Sequence, residues 1–160
     1  MGDTPAHHKV QGNLYFIFKI ATNKNSKKGE LNMQFNTNKE KGNSGLGMAI
    51  AYFSINGYTV SIPLNDTQDY DLVIEKNNKI NTVQVKATGC KRRSGNYQVA
   101  LKSCGGTKGI CYKTLIDTNV NYIFIVNEEM DMYLIPSKII KNTSTLNLCS
   151  KYNQYKVTLA

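Results

Sequence analysis

From Tyr58 onward the chain runs in short stretches where apolar and polar residues alternate, the period-2 signature of half-buried strands. Tyr58 to Pro63 sets Val60 and Ile62 against Thr59 and Ser61. Tyr70 to Glu75 and Thr82 to Lys86 read as two more strands, joined by the polar turn Lys76-Asn77-Asn78-Lys79. Asn tolerates the positive φ angles that a two-residue hairpin loop demands. Centring the hairpin on Asn77 and Asn78 pairs Glu75 with Ile80 and Asp71 with Gln84. Paired Cβ atoms then stand about 5 Å apart on one face, with Lys86 two residues further along it. Asn96 to Lys102 predicts another strand, and Gly105 to Gly109 breaks the pattern before a short helix over Ile110 to Ile116. Asn121 to Val126 and Met132 to Pro136 form a second hairpin around Asn127-Glu128-Glu129, and Pro136-Ser137-Lys138 opens a short helix. Tyr155 to Leu159 returns as an edge strand or binds another subunit.

Ahead of these strands, Leu46, Ile50 and Phe53 fall at helical spacing. They predict a helix with its N-cap at Asn43 or Ser44 and its stop at Asn56-Gly57, where Gly suits the left-handed position. Gly42, Gly45 and Gly47 fit close packing of this helix on a sheet. No strand precedes them and no Gly-Lys-Ser/Thr follows, which argues against a nucleotide phosphate loop. Residues 1–39 differ: they are polar and rich in Lys and Asn apart from the strand-like Leu14 to Ile20. They read as an N-terminal extension to a domain over 40–160, whether a solvated arm holding His7 and His8, an added strand, or an extension upstream of an initiator at Met33.

Composition narrows the class. A length of 160 residues with 41% hydrophobic content suits one domain with its own core. Lys and Arg number 20 against 11 Asp and Glu, a net +9 that attracts a polyanion. No apolar run reaches 18 residues, so no membrane-spanning helix is expected. The early run Leu14 to Ala21 contains Lys19 and lacks a cleavage site, so secretion is not expected. Cys90, Cys104, Cys111 and Cys149 lack zinc-ribbon spacing and read as reduced thiols in a cytoplasmic, intracellular protein.

The hairpin carries the candidate chemistry. A hard divalent cation such as Mg²⁺ takes oxygen ligands and keeps waters for substrate and nucleophile. Asp71 offers a charged oxygen, Gln84 a neutral oxygen or a hold on a water, and the Val85 carbonyl a further ligand. Lys86 suits lowering the pKa of an attacking water or stabilising charge on a phosphate. Beyond the hairpin, the turn Thr88 to Gly95 carries Lys91, Arg92 and Arg93. Arg grips phosphate or a guanine edge bidentately, so these three, with Tyr97 and Gln98 on the next strand, are the candidate DNA contacts. The Asp71/Gln84/Lys86 spacing by itself also fits an ordinary hairpin with alternating polar residues.

A longer series of blocks separates the two readings: Lys41-Gly42-Asn43-Ser44-Gly45, Asn56 to Pro63, Tyr70-Asp71-Leu72-Val73, Val83-Gln84-Val85-Lys86 and Tyr133-Leu134-Ile135-Pro136. Together, over residues 40 to 136, they resemble the PD-(D/E)xK superfamily of endonucleases. The likeness is to the small branch with Gln in the second acidic position, which includes group I intron homing endonucleases. That resemblance implies an α/β (α+β) fold with a central mixed β-sheet flanked by helices, DNA as substrate, and Mg²⁺ or Mn²⁺ as cofactor. It implies catalytic and metal-binding roles for Asp71, Gln84 and Lys86. Cutting two strands needs two sites, so a homodimer or homotetramer acting near the nucleoid is expected. A Holliday-junction resolvase or a restriction-type nuclease is the alternative within the resemblance. One departure stands out: the family's Glu on the first helix is replaced by Leu46. That substitution keeps open a weakened enzyme, or a DNA-binding protein on the nuclease scaffold.

Overall fold

The computed structural model describes Met33 and residues 37–65, 67–101, 103–104, 112–113, 118–141 and 144–159. The expectations for residues 1–32, and for Gly105 to Gly109, lie outside the described residues. Among the described residues one α-helix, α1 (Asn38–Ile55), leads into strands β1 (Thr59–Ser61), β2 (Leu72–Lys76), β3 (Lys79–Thr88), β4 (Tyr97–Ala100), β5 (Ser103–Cys104) and β6 (Tyr112–Lys113). Then come β7 (Tyr122–Asn127), β8 (Met132–Pro136), β9 (Thr145–Leu148) and β10 (Lys156–Val157), with 3₁₀ turns at Ser137–Ile139 and Ser150–Tyr155. The main sheet has the order β1-β2-β3-β7-β8-β10, and β3–β7 is its one parallel pair.

The hairpin register is the one that the turn predicts: Glu75 lies opposite Ile80 and Leu72 opposite Val83. Asn77 and Asn78 take φ of 52° and 59°, which gives a loop whose twist matches that of the strands. The parallel register of β7 is held by a polar staple. Thr82 N–H donates to Asn121 Oδ1 at 2.8 Å, and Thr82 Oγ1 donates to the Asn119 carbonyl at 2.6 Å. β10 closes the far edge against β8, as an edge strand.

Alternation along β3 turns Val83, Val85 and Ala87 to one side and Thr82, Gln84, Lys86 and Thr88 to the other. The first side faces α1 and a core of Met48, Ala49, Phe53, Leu72, Ile74, Phe124 and Val126. Phe53 packs edge-on to Tyr52 and Tyr58, at 5.2 and 5.3 Å between ring centroids. The second side, over β7 and β8, is covered by the antiparallel ribbon β4–β9 and the 3₁₀ segments rather than by a second α-helix among the described residues. There Ile123, Ile125, Tyr133 and Ile135 meet Tyr97, Val99, Leu146, Leu148 and Tyr152.

Two local expectations are corrected. α1 begins at Asn38, not beyond Asn43 or Ser44: Thr37 is the N-cap, its Oγ1 accepting the Glu40 N–H at 3.1 Å. Gly42, Asn43 and Ser44 look like helix openers in isolation, but packing on the sheet carries the helix through them. Tyr112–Lys113, expected within a short helix, pairs instead with Ser103–Cys104, a long-range partner that no local pattern announces. At its other end α1 stops where expected, with Gly57 at φ 74°. Lys76 Nζ donates to the Asn56 carbonyl at 2.7 Å and sits 4.9 Å from the Tyr58 ring centroid, tying that end to the hairpin.

Of the three glycines in α1, only Gly45 is a packing notch. A Cβ there would lie 3.0 Å from the Ala87 Cβ, whereas one at Gly42 or Gly47 would meet nothing within 4 Å. Gly45→Val should therefore cost about 2 kcal/mol through overpacking. Gly47→Ala should add about 0.5–1 kcal/mol, since it only removes glycine's entropy cost in a helix. Urea unfolding of the two variants checks the pair, and equal shifts would contradict the notch.

Candidate active site

The site begins where the hairpin stops pairing. β2 and β3 are matched from Lys76–Lys79 to Leu72–Val83, and beyond that point a side chain replaces the strand. Asp71 N–H still donates to the Val83 carbonyl at 2.9 Å, and Asp71 Oδ2 accepts the Val85 N–H at 2.6 Å. A carboxylate thus satisfies the backbone donor that β2 leaves uncovered. Because the N–H and C=O of one strand residue point to the same edge, the Val85 carbonyl lies on the Asp71 side.

Gln84 and Lys86 share the sheet face turned away from α1, and the Asp71 carboxylate reaches the same part of β3 from the uncovered edge. Gln84 is only 7% exposed, and its Nε2 donates to the Asp69 carbonyl at 3.3 Å, which ties the loop ahead of Asp71 to β3. Lys86 is half-buried beside them. Its ammonium pKa is lowered by desolvation, which the Asp71 carboxylate opposes. Asp71 as a residue is exposed, yet crowding around its carboxyl raises the pKa by desolvation, against the Val85 N–H and the Lys86 charge. Both groups resist charging, and each steadies the other's charge.

These donors fit a hard cation in kind: the Asp71 carboxylate, the Gln84 carboxamide and the Val85 carbonyl all offer oxygen. They make a lean set. Among the described residues no three His, Cys, Asp or Glu side chains gather as a ligand cluster. Leu46 is partly buried against the α1-side core, on the opposite face from Gln84 and Lys86, and continues the stripe with Ile50 and Phe53. Glu40 lies in the first turn of α1.

The other candidates divide. Lys91 pairs with Glu129 at 2.5 Å, and Arg92 Nη2 donates to Gln98 Oε1, while Arg93 is exposed. Tyr97 lies in the core at 5% exposure, its hydroxyl donating to Glu128 Oε1 at 3.0 Å. The whole turn is tied to β3 by Thr88, whose hydroxyl donates to the Gln98 carbonyl at 2.6 Å and accepts the Cys90 N–H at 3.1 Å. Sequence reasoning passed over Thr88 and the Asp69 carbonyl. A buried Thr at a strand end was the one available signal for the first, and nothing local announces the second.

No curated protein matches the chain. Among solved structures, a similar one is titled the structure of a bacterial homing endonuclease, I-Ssp6803I. It superposes with a TM-score of 0.64 at 24% identity, over 75% of this chain and 88% of that one. Identity at that level speaks to the shared fold. A family profile described as PD-(D/E)XK endonuclease matches residues 36–157. Since that stretch takes in every strand of the main sheet and the helix packed on it, the chain belongs to the PD-(D/E)XK endonuclease family.

Proposed function

We propose that this endonuclease hydrolyses DNA phosphodiester bonds by water attack, with Mg²⁺ or Mn²⁺ held by Asp71, Gln84 and the Val85 carbonyl. The observation that carries the reading is the Asp71 carboxylate, bonded to Val85 N–H and coupled to Lys86 at the open end of the hairpin. A bound divalent ion supplies Lewis acidity toward the phosphate and an activated water. Asp71 contributes the negative charge. Gln84 adds a neutral oxygen and, through Asp69, holds the preceding loop. Lys86 acts as a cation on the water or on charge developing at the phosphate. Arg92, Arg93 and Gln98 contact the DNA, Lys91 contributes where it can leave Glu129, and Tyr97 supports them from the core.

A homing-type role is the reading we favour, supported by Gln84 in the second acidic position and by the likeness to I-Ssp6803I. A resolvase or restriction-type role uses the same site. Two cuts call for two sites, hence a homodimer or homotetramer, acting on DNA inside the cell. Among the described residues no helix is long and apolar enough to cross a membrane. The packing of Leu46 into the core favours one second reading, a scaffold that binds DNA without cutting it.

Nicking of supercoiled plasmid tests the assignment. Wild type should cut with Mg²⁺ or Mn²⁺ and stop with EDTA, and Asp71→Ala and Lys86→Ala should each lose about 100-fold or more. Equal activity in all three chains removes these residues from the chemistry. DNA binding with neither metal uptake nor cleavage supports the scaffold reading.

The pKa directions fix the shape of the pH–rate profile. Asp71 must be ionised, and its pKa is raised, so the acid limb falls above the ordinary carboxylate value of 3.8. Added Mg²⁺ should push that limb to lower pH, because metal and proton compete for the carboxylate. Lys86 must be charged, and its pKa is lowered, so activity declines as pH rises through a value below 10.5. Lys86→Arg, which stays charged, should lose this alkaline limb while keeping more activity than Lys86→Ala. An alkaline limb unchanged in Lys86→Arg assigns it to another group.

A further inference from the structure

A second surface lies beside the site, on the same side of the main sheet. β4 and β9 pair in the register Tyr97–Leu148, Gln98–Asn147, Val99–Leu146 and Ala100–Thr145. Tyr97, Val99, Leu146 and Leu148 are buried in the core, so strand alternation turns Gln98, Ala100, Thr145 and Asn147 outward. Gln98 and Asn147 are direct cross-strand neighbours, with Cβ atoms about 5 Å apart. Arg92 hydrogen-bonds to the Gln98 carboxamide from the turn beside them. One guanidinium and two carboxamides therefore stand side by side on an antiparallel ribbon.

That trio matches the edges of bases. Arg pairs bidentately with guanine and Asn or Gln with adenine, and the major groove is wide enough for a two-stranded ribbon. The charge is complementary too: no Asp or Glu occurs from Lys76 to Ile116 or from Met132 to Ala160. The carboxylates at the β7–β8 turn are occupied, Glu129 by Lys91 and Asp131 by Lys156, each at 2.5 Å, and Glu128 by the Tyr97 hydroxyl. The ribbon is also fixed relative to the cleavage residues. Thr88, two residues beyond Lys86, holds the Gln98 carbonyl, and Gln98 N–H donates to the Cys90 carbonyl at 2.8 Å.

We propose that the outward face of the β4–β9 ribbon enters the major groove of duplex DNA and reads adjacent base pairs through Arg92, Gln98 and Asn147. This rests on the nuclease reading above and adds to it the element that selects where on the duplex the protein sits. Asn147 is the residue that separates the idea from a simple basic loop, because it carries no charge and comes from a distant part of the chain.

The test is selection of bound duplexes from a library with a randomised core, using wild type, Arg92→Ala, Gln98→Ala and Asn147→Ala. Wild type should enrich a defined sequence. Each variant should lose about tenfold or more of its discrimination at one or two adjacent base pairs and keep the rest of the preference. Asn147→Gln, which keeps the carboxamide on a longer stem, should alter the preferred base at the same position rather than flatten it. Unchanged preference in all the variants, or equal flattening at every position, overturns the ribbon reading while leaving the nuclease intact. Wild type that retains no duplex overturns both. Asp71→Ala chains that keep the wild-type preference without cleaving support the ribbon independently of the chemistry.

Discussion

The fold depends on β3 being used on both faces at once. Its odd-numbered residues Val83, Val85 and Ala87 make an apolar bed into which α1 settles at Gly45. Its even-numbered residues have a different task at every step. Thr82 staples the start of β7, Gln84 ties down the loop before Asp71, Lys86 lies within electrostatic reach of the Asp71 carboxylate, and Thr88 anchors β4. A slip of one residue would exchange the two sets, putting amide and ammonium into the aromatic core. The Asn77-Asn78 turn and the parallel ladder to β7 make that slip costly from two directions.

The proposed site lies where the ladder runs out. A sheet edge leaves backbone donors uncovered, and here a carboxylate covers one of them. The arrangement holds Asp71 at a fixed height beside Lys86 without spending a strand on it. Desolvation works against both charges, an arrangement that suits reactive groups better than structural ones. Stability comes from elsewhere, chiefly from the aromatic contacts of Phe53, Tyr58 and Phe124 and from the buried ribbon face. The lean donor set follows from the same geometry. α1 packs on the opposite face from Gln84 and Lys86, and Leu46 is given over to that packing.

Much of this was written in local pattern. Alternation and the Asn-Asn turn were enough to pair Leu72 with Val83, but the ladder stops there, and Asp71, expected opposite Gln84, bonds the Val83 carbonyl through its N–H instead. The family likeness of the same blocks pointed to the right fold. Local pattern failed where a distant partner outweighs propensity. Thr37 rather than Asn43 or Ser44 opens α1, because packing on the sheet extends the helix through Gly42. Tyr112–Lys113 is a strand because Ser103–Cys104 is there to pair with it. Tyr97, chosen as a groove-facing residue for its chemistry, sits on the inward phase of β4, and only the docking of that strand on the sheet decides which phase is inward.

The sequence by itself determined the hairpin and its register, the common face of Gln84 and Lys86, and the basic turn after them, because each follows from period, turn chemistry and charge within a few residues. Tertiary structure alone decided that Asp71 caps the Val85 N–H, that the Asp69 carbonyl holds Gln84, and that Asn147 stands beside Gln98. Those contacts join segments far apart along the chain or turn on where a ladder happens to stop, and no spacing along one segment encodes the position of another.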